Sequence, residues 1–143
     1  MLLFIGIQAA GKTTFYLERF FNTHVRISMD LLRTRRRELL LLQACLEAGQ
    51  RFVVDNTNPT VEERARYIGL ARQARFRVVG YFFEPDPPAC FERNQKRSRK
   101  HLVPPAGLFG TLKRLQRPEP VEGFDELFRV RASGGTFDVV RLA

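Results

Sequence analysis

The sequence predicts a three-layer α/β/α fold with a central, mostly parallel sheet and a short helical lid. Strand-like and helix-like segments alternate along the chain, which is the pattern of parallel strands joined by covering helices. The first segment, Leu2–Ile5, is apolar throughout, as a strand buried on both faces should be. A glycine-containing loop joins this strand directly to a helix pattern. With 143 residues the chain has the length of one domain, which we predict over residues 1–143.

Cap residues and apolar periodicity set the elements of the first half of the chain. Gly49 supplies a residue that adopts left-handed geometry easily, which ends a helix. Thr60 and Glu63 form a capping box just after Pro59, and they begin the next helix. In chain order we predict a helix over residues 12–21, a strand at 24–28, one long helix over 31–48, a strand at 51–54 and a helix from residue 60 to about 74.

The second half of the chain continues the alternation and ends in a strand pair. A strand is predicted at residues 76–83, followed by a basic helix over 89–99 and a loop around 101–105. A further helix is predicted near 108–116. The last two strands, at 127–131 and 136–142, flank the turn sequence Ser133-Gly134-Gly135, which favours a terminal hairpin.

The composition indicates a globular protein with an anionic partner. Hydrophobic residues make up 44% of the chain, and the net charge is +9, with 24 Lys and Arg against 15 Asp and Glu. This balance favours a nucleotide or a nucleic acid as partner, and an arginine-rich solvated surface is the alternative. No stretch reaches the length of a transmembrane helix, and the apolar start is too short for a signal peptide. We therefore expect a cytoplasmic protein with no membrane contact.

The loop after the first strand has the sequence of a phosphate-binding loop. Residues 6–13, Gly-Ile-Gln-Ala-Ala-Gly-Lys-Thr, fit the pattern GxxxxGK[ST] at every defined position. In such a loop the backbone N–H groups point at the β-phosphate, the lysine reaches the β- and γ-phosphates, and the final hydroxyl group ligates Mg²⁺. We therefore predict ATP and Mg²⁺ as cofactors. The predicted nucleotide-binding residues of the loop are Gly6, Gln8, Ala9, Ala10, Gly11, Lys12, Thr13 and Thr14, with Thr13 also a metal ligand.

Two carboxylates follow predicted strands, at the sheet edge where such folds bind ligands. Asp30 follows the second strand and is placed to accept the proton of an attacking hydroxyl group. Capping of the next helix is the other interpretation of Asp30. Asp55 follows the third strand in a layout like that of a Walker B motif, which predicts a role in holding Mg²⁺. An Asx turn shared with Asn56 and Asn58 is the alternative for Asp55.

Basic residues near the end of the predicted helix at 89–99 indicate a lid. Arg93 and Arg97 are four residues apart, so a helix places them on one face. Like charges in this arrangement are costly unless an anion lies between them, which predicts contacts with the transferring phosphoryl group. A solvated basic face is the alternative. We predict the lid over about residues 93–104.

Together these motifs resemble the kinase domain of polynucleotide 5′-hydroxyl kinases, both the phage enzyme and the animal kinase-phosphatase, from residue 6 to about residue 128. Besides the loop at 6–13, the segment 28–33, Ser-Met-Asp-Leu-Leu-Arg, matches the family's strand-end Asp followed three residues later by Arg. Val54-Asp55-Asn56-Thr57-Asn58-Pro59, the tetrapeptide at 64–67 and Glu122-Gly123-Phe124 are similar to the animal domain. The segment 93–97, followed by Val103-Pro104, is similar to the phage lid.

The resemblance implies roles at the phosphoryl-transfer centre. Asp30 is implied as the general base for the 5′-hydroxyl group, with Lys12 at the donor phosphates. Arg97 is implied to bridge the donor phosphates and to stabilise the transition state, and Arg93 to assist at the nucleotide. The implied catalytic set is therefore Lys12, Asp30 and Arg97.

The resemblance also implies contacts with the acceptor. Arg33 is implied to bind the acceptor-strand phosphate next to the reacting nucleotide. Asp55, Asn56 and Thr57 are implied to organise the floor of the site near Lys12 and Thr13. Met29 departs from the family pattern, which often has Arg before the Asp, and one acceptor contact of the family is therefore not expected here.

The motifs predict an ATP-dependent kinase with a hydroxyl acceptor, and the resemblance implies that it transfers the γ-phosphate to the 5′-hydroxyl end of DNA or RNA. A small-molecule kinase with a metabolite or antibiotic hydroxyl acceptor is the first alternative, because such enzymes also have an Asp after the second strand. The second alternative is an ATP-dependent nucleic-acid-binding module, which leaves no phosphorylated acceptor. The chain has no NKxD-like guanine-reading motif, which argues against a GTPase.

Overall fold

A six-stranded sheet forms the centre of the molecule, which a computed structural model describes over residues 1–143. The strand order across the sheet is β2-β3-β1-β4-β5-β6. The first five strands are parallel, and β6 pairs antiparallel with β5. The mostly parallel sheet predicted from the sequence is therefore confirmed. The strands are β1 (Leu2–Ile5), β2 (Val25–Ile27), β3 (Phe52–Val54), β4 (Val79–Phe83), β5 (Glu126–Ser133) and β6 (Thr136–Arg141).

Helices cover both faces of the sheet and complete the three predicted layers. Helices α3 and α4 pack on one face, whereas α1, α5 and α6 pack on the other. No helix combines the length and the apolar character that a bilayer crossing requires. The helices are α1 (Lys12–Arg19), α2 (Met29–Leu32), α3 (Arg35–Ala48), α4 (Val61–Gln73), α5 (Pro87–Gln95) and α6 (Pro105–Arg114), followed by a 3₁₀ turn at Pro120–Glu122.

Strand β1 joins the two cores because its side chains alternate between the faces of the sheet. Leu3 and Ile5 belong to the core beneath α3 and α4. Phe4 belongs to the opposite core, where its ring lies 5.7 Å from that of Phe15 and 5.3 Å from that of Phe83. Burial on both sides explains why the sequence of β1 is apolar throughout.

Two predicted cap signals are confirmed. The side chain of Thr60 accepts a hydrogen bond from the N–H of Glu63, and the Glu63 carboxylate accepts one from the N–H of Thr60, so the capping box begins α4. Gly49 ends α3 with a φ of 67°, which is the left-handed geometry that favours glycine there.

The single long helix predicted over residues 31–48 is wrong. The chain forms the short helix α2, breaks at Arg33 and starts again as α3. Arg33 has a φ of 71°, a backbone conformation that costs a non-glycine residue about 1–3 kcal/mol. Thr34 begins α3 by accepting a hydrogen bond from the N–H of Arg37 at 3.2 Å. The cap at Thr34 therefore competes successfully with helix continuation and sets α2 apart.

The basic helix predicted over residues 89–99 is also wrong in its bounds. Asp86 caps α5 and Pro87 occupies its first turn, so the helix begins earlier than predicted. The helix ends at Gln95 because Asn94 bonds to the backbone of Val103 and draws the chain back. Arg97 therefore lies beyond the helix, and it does not share a helical face with Arg93.

Other bounds shift for local reasons. The strand predicted at residues 76–83 begins at Val79, because Val79 pairs with Leu2, the first residue of β1, and residues 76–78 precede this ladder. The helix predicted near 108–116 begins at Pro105, which suits the first helical position, and ends at Arg114. The terminal hairpin is confirmed. Strand β5 extends beyond its predicted bounds at both ends, and β6 ends one residue earlier than predicted.

Candidate active site

The loop at residues 6–13 connects the end of β1 to the first turn of α1. Gly6 lies so close to β4 that an added Cβ atom would be 2.9 Å from the Cβ of Phe83. Ala9 and Gly11 have φ values of 59° and 94°, which are left-handed conformations. Left-handed residues among right-handed ones are typical of loops whose successive amides form a concave site for anions. The loop therefore has the shape that a phosphate group requires.

Lys12 lies inside this loop and is almost completely buried. Its ammonium group donates hydrogen bonds to the carbonyl oxygens of Gly6 at 2.9 Å and Ile7 at 2.6 Å. Burial lowers the pKa of Lys12 to about 8, although the negative charge of Asp55 opposes the shift. An anion in the loop favours the ammonium form, so phosphate binding raises this pKa again.

Thr13 and Asp55, the predicted metal ligands, lie side by side. The hydroxyl group of Thr13 donates a hydrogen bond to Oδ2 of Asp55 at 3.0 Å. Strand β3 lies next to β1 in the sheet, so its end delivers Asp55 to the first turn of α1. The side chain of Asp55 faces the loop at 6–13 instead of an Asx turn. Asn58 is engaged elsewhere, since its Nδ2 donates to the carbonyl oxygen of Phe4 at 2.7 Å.

This pair of oxygens fits the chemistry of Mg²⁺. A hydroxyl and a carboxylate are hard oxygen donors, which Mg²⁺ prefers, and it usually takes its other ligands from phosphates and water. No group of three or more His, Cys, Asp and Glu side chains lies close enough to hold a metal ion without such help. The residues present therefore match a metal ion that is shared with a nucleotide.

Asp30 stands at the same edge of the sheet, in the first turn of α2. Its side chain is exposed and makes no hydrogen bond within the protein. The negative charge of Asp30 acts on Lys12, together with that of Asp55 and the positive charge of Arg97. Ser28 and Thr34 hold the cap positions of α2 and α3, so Asp30 caps neither helix. Its carboxylate is therefore left open to solvent.

Asn56 fixes the helix that carries Asp30. Its Oδ1 accepts a hydrogen bond from the N–H of Met29 at 2.9 Å, which ties α2 to the end of β3. Its Nδ2 donates to the buried carboxylate of Glu38 at 2.9 Å, and Glu38 also accepts from the hydroxyl group of Tyr67 at 3.0 Å. The amide of Asn56 is therefore engaged within the protein, where it positions the neighbour of Asp30.

Thr57 of the predicted floor, and Gln8 and Thr14 of the predicted nucleotide-binding set, differ in their contacts. The carbonyl oxygen of Thr57 accepts a hydrogen bond from the N–H of Gly6 at 3.0 Å. The Nε2 of Gln8 donates to the hydroxyl group of Thr111 on α6 at 3.0 Å, while its buried Oε1 has no hydrogen-bond partner. Thr14 is exposed on α1, and its side chain makes no hydrogen bond.

The two predicted lid arginines have different surroundings. Arg93 is half-buried on α5, and its Nε donates to the carbonyl oxygen of Ala89 at 3.3 Å. It lines a cavity of about 510 Å³ together with Ala10, Cys90, Ala132 and Ser133. Arg97 is exposed, and its charge acts on Lys12. The structure therefore places one arginine beside the loop and the other near its lysine.

Arg33 lies between α2 and α3, three residues after Asp30. Its side chain is exposed and forms neither an ion pair nor a hydrogen bond within the protein. Arg36 is exposed and unpaired in the same way, whereas Arg35 is paired with Glu38 at 2.9 Å. The surface beside Asp30 therefore presents free guanidinium groups to solvent.

Sequence analysis missed three side chains that shape the site. Arg26 on β2 pairs with Asp55 at 2.8 Å, Glu38 holds Asn56, and Asn94 bonds to the backbone of Val103 across the segment 95–102. Their partners are distant along the chain, so no local spacing reveals them. The one available signal was a polar residue within an apolar strand, which Arg26 provides between Val25 and Ile27.

Residues 2–19 form a strand, a loop and a helix, and the loop encloses a buried lysine. Two carboxylates, Asp30 and Asp55, follow strands that end at the same sheet edge. These features define a P-loop protein of the kinase type. Residues 37–118, more than half of the chain, match the family described as the AAA domain. The chain belongs to this family.

Two curated relatives confirm the resemblance to polynucleotide kinases. A bifunctional polynucleotide phosphatase/kinase of Schizosaccharomyces pombe is 23% identical over 134 residues, which cover 91% of this chain and 33% of that protein. A protein of Acanthamoeba polyphaga mimivirus, named as a bifunctional polynucleotide phosphatase/kinase, is 32% identical over 78 residues, which cover 53% of this chain and 18% of that protein. The chain thus spans about a third of the first relative and less than a fifth of the second.

Solved structures share the fold. Kti12 of Chaetomium thermophilum, in complex with ADP-AlF3, has a TM-score of 0.69 and 17% identity, covering 91% of this chain and 88% of its own. A chain of the PezAT toxin-antitoxin system of Streptococcus pneumoniae has a TM-score of 0.73 and 16% identity, covering 91% and 66%. A sugar kinase of a Janibacter species has a TM-score of 0.64 and 18% identity, covering 90% and 83%.

Proposed function

We propose that this chain is an ATP-dependent kinase that phosphorylates the 5′-hydroxyl end of DNA or RNA. The observation that carries the proposal is the unpartnered carboxylate of Asp30, which stands within electrostatic reach of Lys12 and three residues before the unpaired Arg33. The names of the two curated relatives support the same acceptor. Because the chain spans only part of those proteins, the proposal concerns the kinase reaction alone.

The phosphate donor would lie in the loop at residues 6–13. The backbone amides and Lys12 would hold the β- and γ-phosphates, with Arg97 approaching from the lid to spread the charge of the transferring group. Thr13 and Asp55 would hold Mg²⁺, which neutralises phosphate charge when bound. Arg93 lines the neighbouring cavity and would contact the rest of the nucleotide.

The acceptor would approach over α2. Asp30 would orient the 5′-hydroxyl group and take its proton as the oxygen attacks the γ-phosphorus. Asn56 keeps Asp30 in place through the N–H of Met29. Arg33 would bind the acceptor phosphate, and the net charge of +9 favours a polyanionic acceptor over an uncharged alcohol.

An acceptor panel tests this proposal. The purified protein is incubated with labelled γ-phosphate ATP and Mg²⁺, together with 5′-hydroxyl DNA and RNA oligonucleotides or with small sugars and alcohols. We expect label on the oligonucleotides and none on oligonucleotides that already carry a 5′-phosphate. Label on a small alcohol alone would establish a small-molecule kinase instead. Nucleotide-dependent retention of the oligonucleotide without any labelled product would establish a binding module.

A further inference from the structure

The guanidinium group of Arg26 is inserted between the groups that match Mg²⁺. Its Nε lies 2.8 Å from Oδ2 of Asp55, and its Nη2 lies 3.3 Å from Oγ1 of Thr13 and 3.4 Å from Oγ of Ser28. The hydroxyl group of Thr13 and the carboxylate of Asp55 are the two oxygen donors that fit a metal ion, and we call them the Thr13–Asp55 pair. An arginine cation therefore contacts the same oxygen atoms that a divalent cation would use.

Burial makes this contact strong. The side chain of Asp55 is 2% exposed and that of Arg26 is 23% exposed, so solvent screens the pair less than it screens a surface ion pair. The carboxylate has one further donor, the hydroxyl group of Thr13. Without Arg26, Asp55 would be a buried negative charge beside the site where phosphates bind, which is unfavourable for the carboxylate and for an incoming anion.

We propose that Arg26 is the resident counter-cation of the Thr13–Asp55 pair and that it competes with Mg²⁺ for these oxygens. Arg26 thereby lets the loop at residues 6–13 accept a nucleotide in the absence of metal, and it reduces the gain in affinity that Mg²⁺ brings. This inference rests on the nucleotide-binding half of the proposed function and is independent of the acceptor.

Two effects of Arg26 act in the same direction. In the absence of metal, its positive charge cancels the repulsion between Asp55 and the nucleotide phosphates. In the presence of Mg²⁺, Arg26 has to release oxygens that the metal takes, which opposes metal binding. Both effects lower the ratio of the nucleotide Kd in EDTA to the Kd in saturating Mg²⁺. Removing the charge of Arg26 therefore raises this ratio.

Calorimetric titration of ADP measures the ratio directly, without turnover. We expect Arg26→Met to raise it by about tenfold or more, which corresponds to about 1.4 kcal/mol. Arg26→Lys, which keeps the charge, is expected to stay within about threefold of the wild-type ratio. Thermal unfolding of each variant checks that it is folded. Arg26→Gln, which keeps a donor for Asp55 but not the charge, serves as the second neutral variant and should follow Arg26→Met.

Two results would overturn the inference. The first is an unchanged ratio in folded Arg26→Met or Arg26→Gln. If that unchanged ratio comes with an equal loss of ADP affinity with and without Mg²⁺, Arg26 is a direct phosphate ligand. The second is the absence of ADP binding by the wild-type protein under both conditions, which would also end the proposed kinase function. If the Arg26 variants shift the Kd ratio as expected but the wild-type protein phosphorylates no oligonucleotide, only the proposed acceptor is refuted.

Discussion

At the scale of single residues, two carboxylates of the candidate site have opposite surroundings. Asp55 is buried and accepts hydrogen bonds from Thr13 and Arg26. Asp30 is exposed and has no such partner. A general base needs an accessible lone pair, whereas a group that helps to hold a metal ion needs a fixed position. The contrast supports proton transfer at Asp30 and metal organisation at Asp55.

The lowered pKa of Lys12 predicts that nucleotide affinity depends on pH. In the free protein this pKa is about 8, so Lys12 loses its proton above that pH, and bound phosphates raise the pKa. ADP binding should therefore take up a proton and weaken above about pH 8, with log Kd rising by as much as about one per pH unit. Calorimetry in buffers of different ionisation enthalpy measures the uptake.

A charge-fixed variant provides the control for this pH dependence. In Lys12→Arg the side chain stays protonated throughout the range, so whatever ADP affinity remains should not change around pH 8. Proton uptake by Lys12→Arg equal to that of the wild type would assign the titration to another group.

Arg33→Ala should weaken binding of the acceptor more than binding of the nucleotide. Arg33 is exposed and unpaired beside Asp30, so its loss should not disturb the fold, and under the proposed function it removes one phosphate contact. We expect the KM for a 5′-hydroxyl oligonucleotide to rise about tenfold, while the KM for ATP stays within about twofold. The slope of log KM for the oligonucleotide against log salt concentration should fall by about one, as for the loss of one phosphate contact. Steady-state kinetics at several salt concentrations measure both effects.

Arg51→Ala is the matched control for Arg33→Ala. Arg51 is also exposed and unpaired, but it precedes β3 and therefore lies at the opposite end of the strand from Asp55. Arg51→Ala removes the same net charge as Arg33→Ala. If both variants raise the oligonucleotide KM equally, the acceptor is attracted by overall charge and not by Arg33.

At the scale of elements, one buried amide shapes the segment 93–104 that the sequence predicts as a lid. Asn94 at the end of α5 donates to the carbonyl oxygen of Val103 at 2.6 Å and accepts from its N–H at 3.0 Å. These two bonds close the segment 95–102 into a loop that carries Arg97, while Arg93 remains on the helix. The distance between the two arginines is therefore set by this closure and not by helical periodicity.

Asn94→Ala should open the lid. The basic segment 96–100 should become about tenfold more sensitive to trypsin, because the two bonds that close it are lost. The transfer rate should fall with little change in ADP affinity. Gln95→Ala, an exposed neighbour, is the control and should change neither property.

A double-mutant cycle separates this role from simple destabilisation. If Asn94 acts by positioning Arg97, its substitution should have little further effect on transfer in an Arg97→Ala background. Fully additive losses would mean that Asn94 only stabilises the fold.

At the scale of the whole molecule, the strand order assembles the site. Because β3 lies between β1 and β2, the carboxyl ends of three adjacent strands deliver the phosphate-binding loop, Asp55 and the helix of Asp30 to one edge. The buried ion pair between Arg64 and Glu122, at 2.7 Å, joins α4 to the 3₁₀ turn behind this edge. The two matched segments at 64–67 and 122–124 are thus linked in space.

The sequence predicted the features that depend on neighbouring residues. The phosphate-binding loop, the apolar β1, the Thr60 capping box and the Gly49 cap are local patterns, and the structure contains all four. The break at Arg33 and the early end of α5 were not predictable. They depend on the competing cap at Thr34 and on the bond from Asn94 to Val103, nine residues away.

The arrangement of the site was predictable only in part. The positions of Asp30 and Asp55 after parallel strands predicted their common edge, because the ends of such strands meet there. The pairing of Arg26 with Asp55 joins residues on different strands, and the burial of Glu38 depends on Tyr67 of another helix. Such contacts are products of the tertiary fold, so local spacing does not encode them.

Transfer of labelled γ-phosphate to a 5′-hydroxyl oligonucleotide by Asp30→Asn tests the proposed reaction most directly. Single-turnover transfer should be at least about 10²-fold slower than in the wild type, since the general base is lost. ADP affinity and thermal stability should be unchanged, and Glu62→Gln, an exposed carboxylate on α4, should transfer normally. Transfer by Asp30→Asn within about twofold of the wild-type rate would contradict Asp30 as the base.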